Sequence, residues 1–139
     1  MALRSLALST SLAWAFLGIG FWVSAASRTA ERATVLALLV WLVSAALHDF
    51  ALIGVLLEVR LPPSAVFALA AINPVEASRI AILTVIDPEL SVLGPVGFWL
   101  ANALGPSWVL FTGLVWPAFV GTAAFFGARR RLMRADLVG

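Results

Sequence analysis

Residues 5–27 read SLALSTSLAWAFLGIGFWVSAAS, twenty-three positions between Arg4 and Arg28 without one charged side chain. At about 1.5 Å rise per residue, some 20 helical residues cross the roughly 30 Å hydrocarbon core of a bilayer. The run therefore predicts a membrane-spanning helix over about residues 6–26. A secretory signal peptide is the competing reading, with Arg4 as its basic start and Ser24-Ala25-Ala26 as its cleavage site. The apolar region of such a peptide is about 7–15 residues long. This one is longer and carries Trp14, Phe16, Phe21 and Trp22.

Composition agrees with a lipid setting. Of 139 residues, 63% are hydrophobic and 12% charged, against roughly 45–50% and about 25% in a soluble domain. A chain this apolar cannot cover its surface with polar groups, so it needs a solvent that tolerates apolar surface. Cysteine is absent, which excludes disulfides, thiolate catalysis and thiolate metal sites. His48 is the single histidine, and the methionines are Met1 and Met133. No metal and no cofactor is therefore expected. All nine basic residues are arginine, and the net charge is only +2. Four of the nine arginines crowd positions 129–134 beside an apolar segment. That pattern belongs to membrane topology rather than to nucleic-acid binding.

Outward from the first run, Ser27–Arg32 reads as a short polar loop and about residues 33–57 as a second span. The second span carries His48 and Asp49, and Leu61-Pro62-Pro63 stops it. Residues 64–105 do not read as one crossing. Asn73-Pro74-Val75-Glu76 has the form of a helix start, with Asn73 as cap, Pro74 first and Glu76 completing a capping box. That helix runs from Pro74 to about Ile86, and Asp87-Pro88-Glu89 repeats the punctuation. The expectation is a set of short re-entrant or interfacial helices on one side of the membrane. A third span comes next, over about 106–128, with Pro117 as a predicted kink, and 129–139 form a basic tail. The predicted fold is thus a single all-α integral membrane domain, 1–139, with three transmembrane helices and a broken-helix insertion between the second and third.

Three spans place the termini on opposite sides. Arg28, Arg32, Arg129, Arg130, Arg131 and Arg134 share one side; Arg4, Arg60 and Arg79 share the other. Arginine marks the cytoplasmic face, so the tail and the first loop are expected inside and the insertion outside. The N-terminus is then outside with no signal to put it there, which suggests a segment missing upstream.

The order of span, Ser-Arg turn, span, broken helices, span and basic tail resembles the C-terminal half of an ABC-2 type transporter permease. Leu47-His48-Asp49-Phe50, Asn73-Pro74-Val75-Glu76-Ala77-Ser78-Arg79 and Val92-Leu93-Gly94-Pro95 are similar to the nitrous oxide reductase maturation branch. That branch commonly shows an aromatic–Asp pair and an Asn-Pro-x-Asp/Glu-x-x-Arg motif; His48 stands here where the aromatic would be. The resemblance implies one half of a six-span permease in the bacterial inner membrane. Its partners would be a second permease copy, a cytoplasmic ATP-binding subunit and a periplasmic accessory protein. The system would support assembly of the reductase's copper centre. The alternative is a small accessory membrane protein that packs against a larger complex without transport of its own.

Asp49 sits inside an apolar span, where a carboxylate needs a partner or a watery path. Two readings stand: a polar site near the mouth of a path, together with His48 and Asn102, or an interhelical bond to Asn102 or Arg79. For His48, proton relay competes with a bond to Ser44 one turn back. Asn73, Pro74, Glu76 and Arg79 read either as a cap with a local ion pair or as an outer docking surface. Arg28, Glu31 and Arg32 are candidates for contact with the ATP-binding subunit. Trp99 and Trp108 fit an outer aromatic belt, while Trp14, Trp41 and Trp116 read as packing. There is no Gly-x-x-x-x-Gly-Lys loop and no nucleophile elbow around Ser44, His48 and Asp49, so no enzymatic activity is expected.

Overall fold

A computed structural model of the chain describes residues 2–136, and those residues form helices with no strand among them. Positions 137–139 of the expected tail lie outside the described residues. Helix α1 spans Ala2–Ala26, α2 Ala30–Glu58, α3 Pro63–Ile72, α4 Pro74–Ile86, α5 Ser91–Leu104 and α6 Pro106–Asp136. Three of them, α1, α2 and α6, are long and apolar enough to cross a membrane.

Small residues decide which helices meet. Leu8, Ser11, Ala15 and Gly18 form the buried stripe of α1. It lies along α6, where Val109, Gly113, Pro117 and Gly121 are buried at strict four-residue spacing. Gly18 faces Gly121, and a Cβ on Gly18 would land inside the Gly121 carbonyl group. Backbone contact this close lets dispersion forces and hydroxyl bonds act where lipid cancels the hydrophobic drive. The Trp14 indole adds a bond to Thr122 Oγ1 at 3.1 Å.

Pro117 does not end α6. It has no N–H to offer the Gly113 carbonyl one turn back. The Ser78 hydroxyl of α4 donates to that carbonyl at 3.3 Å. The next carbonyl, Leu114 O, accepts from the Ser11 hydroxyl of α1. Two neighbouring helices thus supply donors at the proline turn, the usual remedy for a broken ladder in an apolar medium. Gly113 makes this possible, because Ala77 and Ala81 of α4 lie against it with no room for a Cβ.

Helices α3 and α4 meet at a 119° bend. Asn73 makes the bend: its Oδ1 accepts from Val75 N at 3.0 Å and so caps α4. Its amide donates to Ser44 O of α2. Ser44 lies in a five-residue π turn, Val43–Leu47, a wider turn that loosens the regular carbonyl pairing. From the far side, the Trp116 indole donates to Ile72 O at 3.1 Å. Ser44 and Trp116 both sit well inside long helices, so the bend is pinned between α2 and α6 away from their ends. Helix α4 then runs back along α6, passing Gly113 and reaching Leu110 and Leu8 beside the start of α1.

A second core fills the space beneath this hairpin, with Ala70, Ile80, Leu90, Leu100 and Val109 buried together. Trp99 joins it, half-buried and 6.4 Å from Phe67. Trp41, expected as packing, is exposed. Helix α2 stands apart. None of its most apolar eighteen-residue window is buried, against 28% for α1 and 22% for α6. It meets the rest of the chain near the Ser27–Thr29 turn, at the π turn, and along its last eleven residues, His48–Glu58.

Candidate functional site

The ion pairs found among the described residues lie where α2 meets α4. Asp49 is five residues beyond Ser44 on α2, about 7 Å further along the helix. Arg79 is six residues beyond Asn73 on α4. Once the Asn73–Ser44 bond fixes the two helices, the guanidinium reaches the carboxylate, and Arg79 Nη1 donates to Asp49 Oδ2 at 2.9 Å. The same nitrogen lies 2.7 Å from Glu76 Oε1, one turn back on α4. That second approach is off the hydrogen-bond line, leaving Glu76 Oε1 without an aligned donor. It is a charge contact at close range. One guanidinium therefore serves two carboxylates, and with both ionised the group carries one net negative charge. Glu76 is the more enclosed of the pair, its side chain 12% exposed, while that of Arg79 is 49% exposed.

Of the alternatives for Asp49, the structure brings it to Arg79. Asn102 is spent elsewhere, its amide donating to Phe98 O within α5 at 2.8 Å. The expected capping box is half formed. Asn73 caps α4, but its own N–H goes to Ala70 O, and Glu76 turns toward Arg79 because a cation attracts a carboxylate more strongly than an amide does. His48 does not bond Ser44. Its Nε2 is buried without a partner, and the ring lines an apolar groove with Leu52, Val55 and Leu69. The Ser44 carbonyl beside it belongs to Asn73.

Arg28, Glu31 and Arg32 are exposed on the turn between α1 and α2. Thr29 caps α2 there by accepting from Arg32 N at 3.3 Å, and Glu31 lies in the first turn, where a negative charge suits the helix dipole. At the opposite end of the molecule Asp87 closes α4 and starts the next turn. Its carboxylate accepts from Ser91 Oγ at 2.6 Å, Ser91 N at 2.9 Å and Glu89 N at 3.1 Å. The Ser91 hydroxyl foremost holds the Asp87 carboxyl below its usual value; burial comes next and opposes it, and the backbone donors add to the lowering.

Sequence reading paired Ser44 with His48 rather than with Asn73, and gave Ser78 no role. Ser44 acts through its carbonyl, which no side-chain pattern reveals. Ser78 had a signal: a hydroxyl on a short helix, facing a proline-bearing span that needs a donor. Among the described residues, no group of three or more His, Cys, Asp or Glu side chains is placed to hold a metal ion. No known protein family, no curated protein and no solved structure matches the chain.

Proposed function

We propose that this chain is a transmembrane permease subunit of an ABC-2 type export system, corresponding to the C-terminal half of such a permease. A separate ATP-binding subunit drives transport. In the narrower form of the proposal, the system serves maturation of the nitrous oxide reductase copper centre. The chain lies in the bacterial inner membrane with its basic tail cytoplasmic, and α3 and α4 form a re-entrant hairpin on the outer side.

The observation that carries the reading is the 119° bend at Asn73, held between two long apolar helices by side-chain bonds to Ser44 O and from Trp116. Irregular backbone at membrane depth persists only where protein or a watery cavity surrounds it. A hairpin that enters and leaves on one side closes one end of a path while leaving the spans free to move. The exposed apolar α2 supports partnership with further helices, and it equally favours the second reading, an accessory protein within a larger complex.

Copurification from native membranes in mild detergent separates the two. The permease reading expects a nucleotide-binding subunit and ATP hydrolysis in the isolated complex. A complex without any nucleotide-binding subunit supports the accessory protein. A reporter fused to the C-terminus should be active in the cytoplasm; periplasmic activity inverts the topology. Arg79→Ala should weaken retention of a periplasmic partner if α4 is its dock, and unchanged retention leaves Arg79 a local pair.

A further inference from the structure

Helices α1 and α6 run parallel, with Leu8 beside Leu110, Ser11 bonded to the Leu114 carbonyl and Gly18 against Gly121. Their first turns therefore lie at one level. Between them opens a furrow of about 310 Å³, walled by Ala7 and Leu8 on one side and by Leu110, Phe111 and Leu114 on the other. Arg4 and Ser107 line it where both helices begin. A second furrow of about 200 Å³ is lined by Ser107, Trp108 and Phe111. The two share Ser107 at the head and Phe111 along the wall.

We propose that this pair of furrows binds one anionic diacyl phospholipid, its phosphate at Arg4 and Ser107 and its two acyl chains on either side of Phe111. Charge and shape argue together for this occupant. Arg4 is exposed, and among the described residues no carboxylate lies in ion-pair range of it. A cation at a membrane boundary attracts anionic headgroups. Ser107 occupies the first turn of α6, where backbone N–H groups have no intrahelical acceptor and favour an anion. Below them the lining is apolar. From Ser107 to Leu114 the wall is about 10 Å long, the upper part of an acyl chain. Trp108 and Phe111, in edge contact at 5.6 Å between ring centres, are both largely exposed and would cover the glycerol region as interfacial aromatics do. The inference rests on the reading of α1 and α6 as membrane spans and not on transport.

Native mass spectrometry of the detergent-purified chain tests it, with phosphatidylglycerol and phosphatidylcholine of equal chain length as probes. The wild type should retain one phosphatidylglycerol per chain, about five- to tenfold more tightly than phosphatidylcholine. Arg4→Gln should remove that preference. Ala7→Trp, which fills the first furrow from an exposed position, should weaken both lipids and leave their ratio unchanged. Undiminished phosphatidylglycerol in Arg4→Gln, equal retention of the two headgroups, or a lipid-free dimer overturns the site. Alkaline carbonate extraction tells that failure from a deeper one. A chain that stays in the membrane but shows no preference loses only the lipid site; a chain that carbonate strips loses the spanning reading and the site with it.

Discussion

Arg79 shows how one side chain in an apolar setting becomes decisive. Asp49 alone on α2 would leave a carboxylate without compensation, at a cost of about 2.5–3.5 kcal/mol near a bilayer centre and less toward its edge. The guanidinium offsets that cost and ties α4 to α2 as well. Arg79 is half exposed, so the pair itself is modest. A double-mutant cycle of Asp49→Asn and Arg79→Gln, read as thermal unfolding in detergent, should give a coupling of about 0.5–1.5 kcal/mol. Arg79→Gln alone should destabilise more than the double variant, because it strands Asp49. Additive effects would mean that the two side chains do not sense each other. Asp87 answers to pH instead. Its folded pKa is depressed, so its support of the Asp87–Ser91 turn is complete above the unfolded carboxylate value and fades as pH falls through the folded one. The Ser91 and Glu89 amide resonances in micelles should move together in acid, below the pH where a free aspartate titrates. In Asp87→Asn they should stay flat; movement there would assign the transition to another group.

Among the elements, α6 depends most on its neighbours. Pro117 removes one rung of its ladder, and the Ser78 hydroxyl fills the gap on the Gly113 carbonyl. Ser78→Ala should cost about 1 kcal/mol in the wild-type chain. In a Pro117→Ala background it should cost far less, because the new Ala N–H bonds Gly113 O within the helix. Equal costs in both backgrounds would show that Ser78 acts by packing alone. The α1–α6 crossing is less forgiving. Gly18→Leu places a branched side chain against the Gly121 backbone, where neither helix can yield by a rotamer change. Destabilisation of about 2–3 kcal/mol or more is expected, while Gly20→Leu, with open space around it, should melt within about 0.5 kcal/mol of the wild type. Similar melting of the two variants would remove the crossing from its central role.

At the scale of the whole molecule, the chain has one tight side and one open side. Helices α1, α4 and α6 share small-residue contacts, α3 and α5 complete the second core, and α2 is tethered at its first turn and along its C-terminal half. Polar bonds, rather than extensive apolar burial, hold α2 to the hairpin: Asn73 to Ser44 and Arg79 to Asp49. Those bonds should be the first tertiary links to open. In detergent, amides of the α2 π turn should exchange faster than those of the α1–α6 crossing. Asn73→Ala, which removes both the cap and the bridge, should quicken exchange across residues 43–49 while leaving residues 11–21 protected. Uniform quickening over both regions would point to one cooperative unit instead.

Composition and uncharged runs were enough to specify three long apolar helices, because lipid requires about 20 apolar residues per crossing and forbids unpaired backbone. Asp87, read as repeating the helix start, instead closes α4 and anchors a turn through Glu89 and Ser91, whereas local chemistry was legible at Asn73-Pro74, where the cap is set within one turn. The partners were not. That Asp49 meets Arg79 rather than Asn102, that Glu76 abandons the capping box, and that His48 is left unpaired all result from how α4 lies between α2 and α6. That placement is settled by contacts distant in sequence: Gly113 against Ala77, Ser78 beneath Pro117, and Trp116 on Ile72. The four-residue spacing of Val109, Gly113, Pro117 and Gly121 was present in the sequence, but a stripe of small residues does not name the helix that fills it. Only the folded chain brings Gly18 and Ala81 to it, because close backbone approach is a property of two surfaces at once.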